Sequence, residues 1–256
     1  MQAVLLAAGR GTRMGVLTET CPKPLLPVAG RPLIEHIIAG FAAAGVRELV
    51  IVTGYRSEQI ETALGDGARL GVRIIYRRQT TAEGTARALL LARDALADEP
   101  FALSWGDILV QPEFYAAMVQ RFRARPCDAL LALNAVDDPW AGAAAYVDDV
   151  GRVSRIIEKP RRGSSTTHWN NAGVFVFDQL VLDYAARLQP SARGEYELPQ
   201  AIAAMITDGR AIYSLPIEGY WSDVGTPDDL RRADREFPAA APHLGESTVR
   251  PAPCQP

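Results

Sequence analysis

Apolar and polar positions follow two different rhythms along this chain. Val4 to Ala8 is an unbroken apolar run, as expected of a strand covered on both faces. Leu33 to Ala44 repeats its apolar positions at helical spacing and stops at Gly45. Glu48 to Thr53 reads as a second strand, and Ser57 to Leu64 as a helix with Ser57 as its cap. Val72 to Tyr76 is a third strand, Gly84 to Leu96 a long Ala/Leu-rich helix, and Phe101 to Trp105 a fourth strand. Pro112 to Arg123 predicts a helix with proline in its first turn, and Ala129 to Ala135 a fifth strand. This alternation implies an α/β fold with a mostly parallel, doubly wound sheet and right-handed crossovers.

After residue 140 the pattern changes. Ala144 to Val147 and Val153 to Ile157, split by Asp148 to Gly151, predict an antiparallel hairpin. Asn171 to Phe177 is another apolar strand, with helices expected over Gln179 to Leu188 and Glu197 to Thr207. No repeat or linker interrupts the chain, so residues 1–237 are read as one domain. Within it, 1–140 and 141–237 form two functional halves. The Pro/Ala-rich tail from Pro238 is expected to be mobile.

Composition narrows the classes. Apolar residues make up 48% of the 256 and charged residues 22%, which excludes a disordered or collagen-like chain. The net charge of −3 and the lack of a basic, aromatic-rich stretch argue against a nucleic-acid partner. No run of about 18 apolar residues is present, so no membrane span is expected. The N-terminal run is too short for a signal peptide. Three cysteines without CxxC spacing give neither a disulfide framework nor a zinc site, and read as reduced thiols in a cytoplasmic protein.

The chemistry concentrates after the first strand. Gly9, Gly11 and Gly15 are followed by Cys21-Pro-Lys-Pro-Leu-Leu-Pro27 and Gly30-Arg-Pro32. A long loop there lies at the carboxyl edge of the sheet, where ligands bind in such folds. It carries Arg10, Arg13, Lys23 and Arg31 against Glu19 alone. Glycines let backbone N–H groups approach phosphate oxygens, and arginine forks bind them in pairs. A dinucleotide site fits poorly: Met14 replaces the third glycine of GxGxxG, and the second strand ends Val52-Thr-Gly54 with no acid for a ribose hydroxyl. Asp107 follows the fourth strand, where a carboxylate facing a phosphate loop is a natural hard-cation ligand. Asp223, in Trp221-Ser-Asp-Val-Gly-Thr226, is a second candidate, or else a cap for the helix beginning near Pro227.

LAAGRGTRM followed by PKPLLPVAGRPLIEH resembles the signature of sugar-1-phosphate nucleotidyltransferases, the nucleotide-sugar pyrophosphorylases, and further motifs extend the likeness to about residue 235. The resemblance implies a Rossmann-like, three-layer α/β/α domain with an inserted antiparallel sugar-binding part. It implies transfer of a nucleotidyl group from a nucleoside triphosphate to a sugar 1-phosphate, with Mg²⁺. Arg13, Lys23 and Lys159 become the catalytic cations, and Asp107 and Asp223 the metal ligands. Leu6, Ala7, Ala8, Gly9, Gly11, Thr12, Arg13, Gln79, Gly84 and Thr85 line the nucleotide. Gly142, Glu158, Lys159, Asn171 and Glu195 line the sugar. A glutamine amide offers one donor and one acceptor, matching uracil or thymine, so Gln79 points to UTP or dTTP. Mannose-1-phosphate guanylyl transfer and a non-catalytic nucleotide-sugar-binding relative are the rivals. Ile108, Ala143 and Asn170 depart from the glucose-type pattern, which leaves the sugar open. About 20 residues follow the last helix, so no C-terminal β-helix and no fused acetyltransferase is expected. A homo-oligomer stays open.

Overall fold

The computed structural model describes residues 1–238. The rest of the tail read as mobile, with Cys254, lies outside the described residues. In chain order the strands are β1 Ala3–Ala7, β2 Pro27–Val28, β3 Arg31–Pro32, β4 Glu48–Thr53, β5 Arg73–Arg78, β6 Phe101–Trp105, β7 Ile108–Val110, β8 Ala129–Ala135, β9 Ala143–Val147, β10 Val153–Glu158, β11 Trp169–Phe177, β12 Ile212–Pro216 and β13 Trp221–Asp223. The helices are α1 Leu17–Thr20, α2 Leu33–Ala43, α3 Ser57–Leu64, α4 Thr85–Leu90, α5 Pro112–Ala124, α6 Leu180–Arg187, α7 Leu198–Thr207 and α8 Pro227–Glu236.

The main sheet runs β5–β4–β1–β6–β11–β8–β12. β1 is parallel to β4 and β6, β4 to β5, and β8 to β12. β11 runs antiparallel to both β6 and β8. The sheet is therefore mostly parallel, as the alternation implied. Its strands are apolar on both faces because both faces are covered. Ala3, Leu5, Leu49 and Ile51 pack with α2, α5 and α8, whereas Val4, Val50, Val52 and Leu103 pack with α4, α6 and α7. Each fully buried Leu, Ile or Phe in these two layers contributes about 1.5–3 kcal/mol.

The predicted hairpin forms as β9–β10 and joins β11 at Asn170. β6 pairs only with Val174 to Phe177, so Trp169 to Asn171 run on past its carboxyl end. The hairpin is thereby carried to the same sheet edge as the glycine loop. Against β8, β11 changes register between Asn171 and Phe175, a bulge that Gly173 occupies with φ 81°.

Two expectations are corrected. The Ala/Leu-rich helix over Gly84 to Leu96 ends at Leu90, and a separate 3₁₀ turn covers Arg93–Ala95. Distant side chains impose the break: Gln2 bonds Ala95 O and Ala97 N, and Gln179 bonds Ala97 O and Glu99 O. Ser57 is not a cap either. It is the first residue of α3, and Arg56 takes the cap position in a left-handed conformation.

Candidate active site

The two acids singled out in the sequence, 116 positions apart, meet through a short ladder. β13 pairs antiparallel with β7, setting Asp223 opposite Ile108, and Val224 N donates to Asp107 O at 3.0 Å. Asp107 itself follows Gly106, whose N–H donates to Leu6 O at 2.9 Å, so the ends of β1 and β6 lie in backbone contact. Asp223 does not cap α8. Thr226 does so, accepting Asp229 N at 3.2 Å, which leaves the Asp223 carboxylate for the site.

Lys23 is buried and donates from Nζ to Asp107 Oδ2 at 2.7 Å, with Asp223 Oδ1 3.9 Å away. Pro22 and Pro24 flank it in a 3₁₀ turn that fixes its backbone. Arg13 Nη2 stands 3.9 Å from Asp223 Oδ2. A Cβ at Gly225 would lie 3.1 Å from both terminal nitrogens of Arg13, so glycine there makes room for the guanidinium. Burial, with Asp107 beside it, pushes the Asp223 carboxyl up to about 6, against the pull of Lys23 and Arg13. Its Oδ1 is buried and accepts no hydrogen bond, since Lys23 is in ion-pair range only. These two carboxylates fit a hard divalent cation: the donors are oxygens, and one of them, Asp223 Oδ1, is buried without a hydrogen bond. Among the described residues no cluster of three or more His, Cys, Asp or Glu could hold a metal. Two carboxylates, completed by waters and substrate phosphates, suit Mg²⁺ coordination.

The residues expected to line the nucleotide gather around the β1 and β5 ends and the start of α4. Leu6 and Ala7 belong to β1, and Ala8 O accepts Tyr55 N at 3.2 Å. Gln79 N donates to Thr53 O at 2.8 Å, and its Nε2 reaches Gly84 O at 3.4 Å. A Cβ on Gly84 would stand 2.5 Å from Tyr196 O, so the 79–84 loop lies tight against the 196 segment. Thr85 Oγ1 accepts Leu198 N at 2.8 Å, which ties α4 to α7.

Of the residues expected to line the sugar, Gly142, Glu158, Lys159 and Asn171 lie on or beside the hairpin and β11, and Glu195 lies in the loop before α7. Lys159 has φ 42°, a left-handed conformation uncommon outside glycine, and its N–H donates to Gly142 O at 2.7 Å. Its side chain is exposed. Burial raises the Glu158 carboxyl, while Lys159 and Arg193 pull it down. Asn171 is buried, its Oδ1 accepts Gly173 N at 3.3 Å, and its Nδ2 has no partner. Glu195 is exposed, and its carbonyl accepts Ser191 N at 2.8 Å.

Sequence reasoning missed two residues here. Arg193 bonds Glu158 Oε1 at 3.3 Å and pairs with Glu197, inside the same SARGEYEL segment that drew attention to Glu195. Asn170, noted only as a departure, bonds Ala143 N, Asn134 Oδ1 and Asn171 O, so it holds the hairpin to β11 and β8.

Fold and site together define a Rossmann-like α/β protein with an acid pair at the carboxyl edge of its sheet. Residues 2–239 match the Nucleotidyl transferase family, and the chain belongs to it. The low-salt glycan biosynthesis nucleotidyltransferase Agl11 of Haloferax volcanii is 37% identical over 236 residues, covering 92% of this chain and 65% of that protein. The UTP–glucose-1-phosphate uridylyltransferase AglF of the same organism is 36% identical over 241 residues, 93% of this chain and 96% of its own. A crystallised Bacillus anthracis chain, assigned as a glucose-1-phosphate thymidylyltransferase in complex with a sucrose, aligns with a TM-score of 0.84 at 29% identity, covering 92% of this chain and 94% of that one. The chain spans 65% of the length of the first three curated relatives it matches.

Proposed function

We propose that this chain transfers a nucleotidyl group from UTP or dTTP to a hexose 1-phosphate, giving a nucleotide-sugar and pyrophosphate. The observation that carries the reading is the Asp107–Lys23–Asp223 cluster with Arg13 beside it, at the mouth of the glycine loop. The uridylyl- and thymidylyltransferases among the relatives support the pyrimidine triphosphate.

A phosphate oxygen of the sugar 1-phosphate attacks the α-phosphorus in line with the departing pyrophosphate. This nucleophile is already an anion, so no general base is required. Positioning and electrostatics carry the rate. Arg13 and the loop N–H groups offset charge on the triphosphate, and Lys159 holds the incoming phosphate. Glu158, with Asn171 and Glu195, receives sugar hydroxyls. Gln79 keeps its amide oxygen for the imide N–H of uracil or thymine. Asp107 and Asp223 would hold Mg²⁺, which when bound offsets charge at the α-phosphate. Lys23 fixes the Asp107 carboxylate through its 2.7 Å bond. We place the protein in the cytoplasm, where the Cys21 and Cys127 thiols, which form no disulfide among the described residues, stay reduced.

The test is a matrix of nucleoside triphosphates against sugar 1-phosphates, read by pyrophosphate release. Release with UTP or dTTP and a hexose 1-phosphate is expected. Release confined to GTP with mannose 1-phosphate would replace this reading with guanylyl transfer. Tight nucleotide-sugar binding without any release would replace it with a regulatory one.

A further inference from the structure

The glycine loop is gripped from outside by one other segment. Tyr55 Oη donates to Thr18 O at 2.9 Å, the Arg56 guanidinium to Glu19 O, and Gln59 Nε2 to Thr20 O at 3.1 Å. Three side chains of one segment thus end on three consecutive carbonyls. The grip continues inward. Thr18 Oγ1 lies 3.1 Å from Gly11 O and 3.2 Å from Gly15 O. By contrast, the N–H groups of Gly9, Arg10 and Gly11 meet no acceptor among the described residues. Carbonyl oxygens are therefore engaged and the open N–H groups remain, which is the polarity an anion requires.

The segment is itself held in an unusual state. Arg56 has φ 51°, a conformation rare for a non-glycine residue and retained only where surroundings enforce it. Tyr55 N bonds Ala8 O, and Gly54 lies so close that a Cβ there would stand 2.6 Å from that oxygen. The Arg10 and Arg56 guanidiniums both sit over the Tyr55 ring, 5.5 and 5.4 Å from its centroid. Among the described residues neither arginine pairs with a carboxylate.

We infer that Tyr55, Arg56 and Gln59 form a strap that positions the glycine loop, caps its carbonyls and gathers two unpaired cations beside it, for the phosphates of the triphosphate. The identity of that ligand rests on the proposed nucleotidyl transfer; the strap itself does not. These are positioning residues, acting through Thr18 and Arg10. They concern one substrate and not the other.

Two measurements separate the claims. Hydrogen exchange on the ligand-free protein reads the strap directly. Tyr55→Phe, and the triple variant Tyr55→Phe/Arg56→Gly/Gln59→Ala, should speed exchange over residues 14–20 and leave β1 unchanged. Unaltered exchange in both would overturn the strap, whatever the protein binds. Steady-state kinetics reads the consequence: Tyr55→Phe loses both the bond to Thr18 O and the acceptor for Arg56 Nε, so the KM for UTP should rise about tenfold, while the KM for glucose 1-phosphate holds. Equal losses for both substrates would mean general scaffolding and overturn the proposal. Tyr55→Phe keeps the ring under both arginines, so it serves if the triple variant does not fold. A wild type without turnover would refute the nucleotidyl reading, and exchange would still decide the strap.

Discussion

The ammonium of Lys23 donates to Asp107 Oδ2 at 2.7 Å, across 84 positions of chain. The lysine of the proline-rich motif is therefore bound to the first metal candidate, instead of standing free in a solvated loop. The ammonium is buried and the carboxylate half-buried, so removing the carboxylate leaves a buried cation uncompensated, which is costly.

The acids come first. Asp107→Asn and Asp223→Asn should each lower turnover by orders of magnitude; Asp223→Asn should keep the fold, while Asp107→Asn, which leaves the Lys23 ammonium uncompensated, should also lower the melting temperature. Pyrophosphate release at saturating Mg²⁺ checks this, and near-native rates in either variant would remove that residue from the metal site.

The second expectation concerns pH. The Asp223 carboxyl titrates near 6 in the folded chain, above its ordinary value of 3.8, because burial and Asp107 disfavour its charge. The stability contributed by the neutral acid is complete below the unfolded value and is lost as pH rises through about 6. In chelator, Asp223→Asn should thus melt like wild type near pH 4 and above it at pH 7. Added Mg²⁺ should narrow the gap at pH 7 by stabilising the wild type. Identical melting at both pH values would contradict the assignment.

Gln79→Ala should weaken use of UTP or dTTP by about 1–3 kcal/mol, leaving the base edge poorly paired. It should also narrow the gap to other bases. An unchanged preference among triphosphates would make Gln79 a bystander. Gly84→Ala tests the wall beside it: with φ 107° and a Cβ 2.5 Å from Tyr196 O, it should cost more than about 1 kcal/mol in urea unfolding.

Arg13 and Lys159 should divide the substrates. Arg13→Ala should impair triphosphate binding and spare the sugar phosphate; Lys159→Ala should do the reverse. Calorimetric titration with each ligand reads this, with an unreactive triphosphate analogue already in place for the sugar phosphate. Loss of triphosphate affinity alone in both variants would assign Lys159 to the nucleotide.

How far the sequence reached depends on which interactions were local. β1 and β4 were legible because both their faces are buried, and the hairpin because Asp148 to Gly151 forms its turn. Asp107 and Asp223 were found by motif, but their meeting depends on β7 and β13, three residues each and too short for a periodic signal. The break in the helix after Leu90 comes from Gln2 and Gln179, each some 80 to 95 positions away, and no local preference announces it. Arg56 at a helix cap is likewise set by contacts with Glu19 and Tyr55, not by propensity.

β11 is zipped to β6 along Val174 to Phe177, to β8 on both sides of its bulge, and to β9 at Asn170. One strand is thus the splice between the two halves of the site. A cut at residue 140 would bare the edge of β6 and leave β8, which pairs with β11 and β12 alone among the described residues, without a partner. Anyone exchanging the residues after 140 between two such proteins would have to graft across the bulge at Ala172 and Gly173. Hairpin β9–β10 meets β11 in the ladder only at Asn170, but its turn is bonded to β12, where Ser214 N donates to Gly151 O at 2.8 Å, and Val153 and Ile156 are buried with α7, so an exchange of the hairpin has to carry those contacts with it.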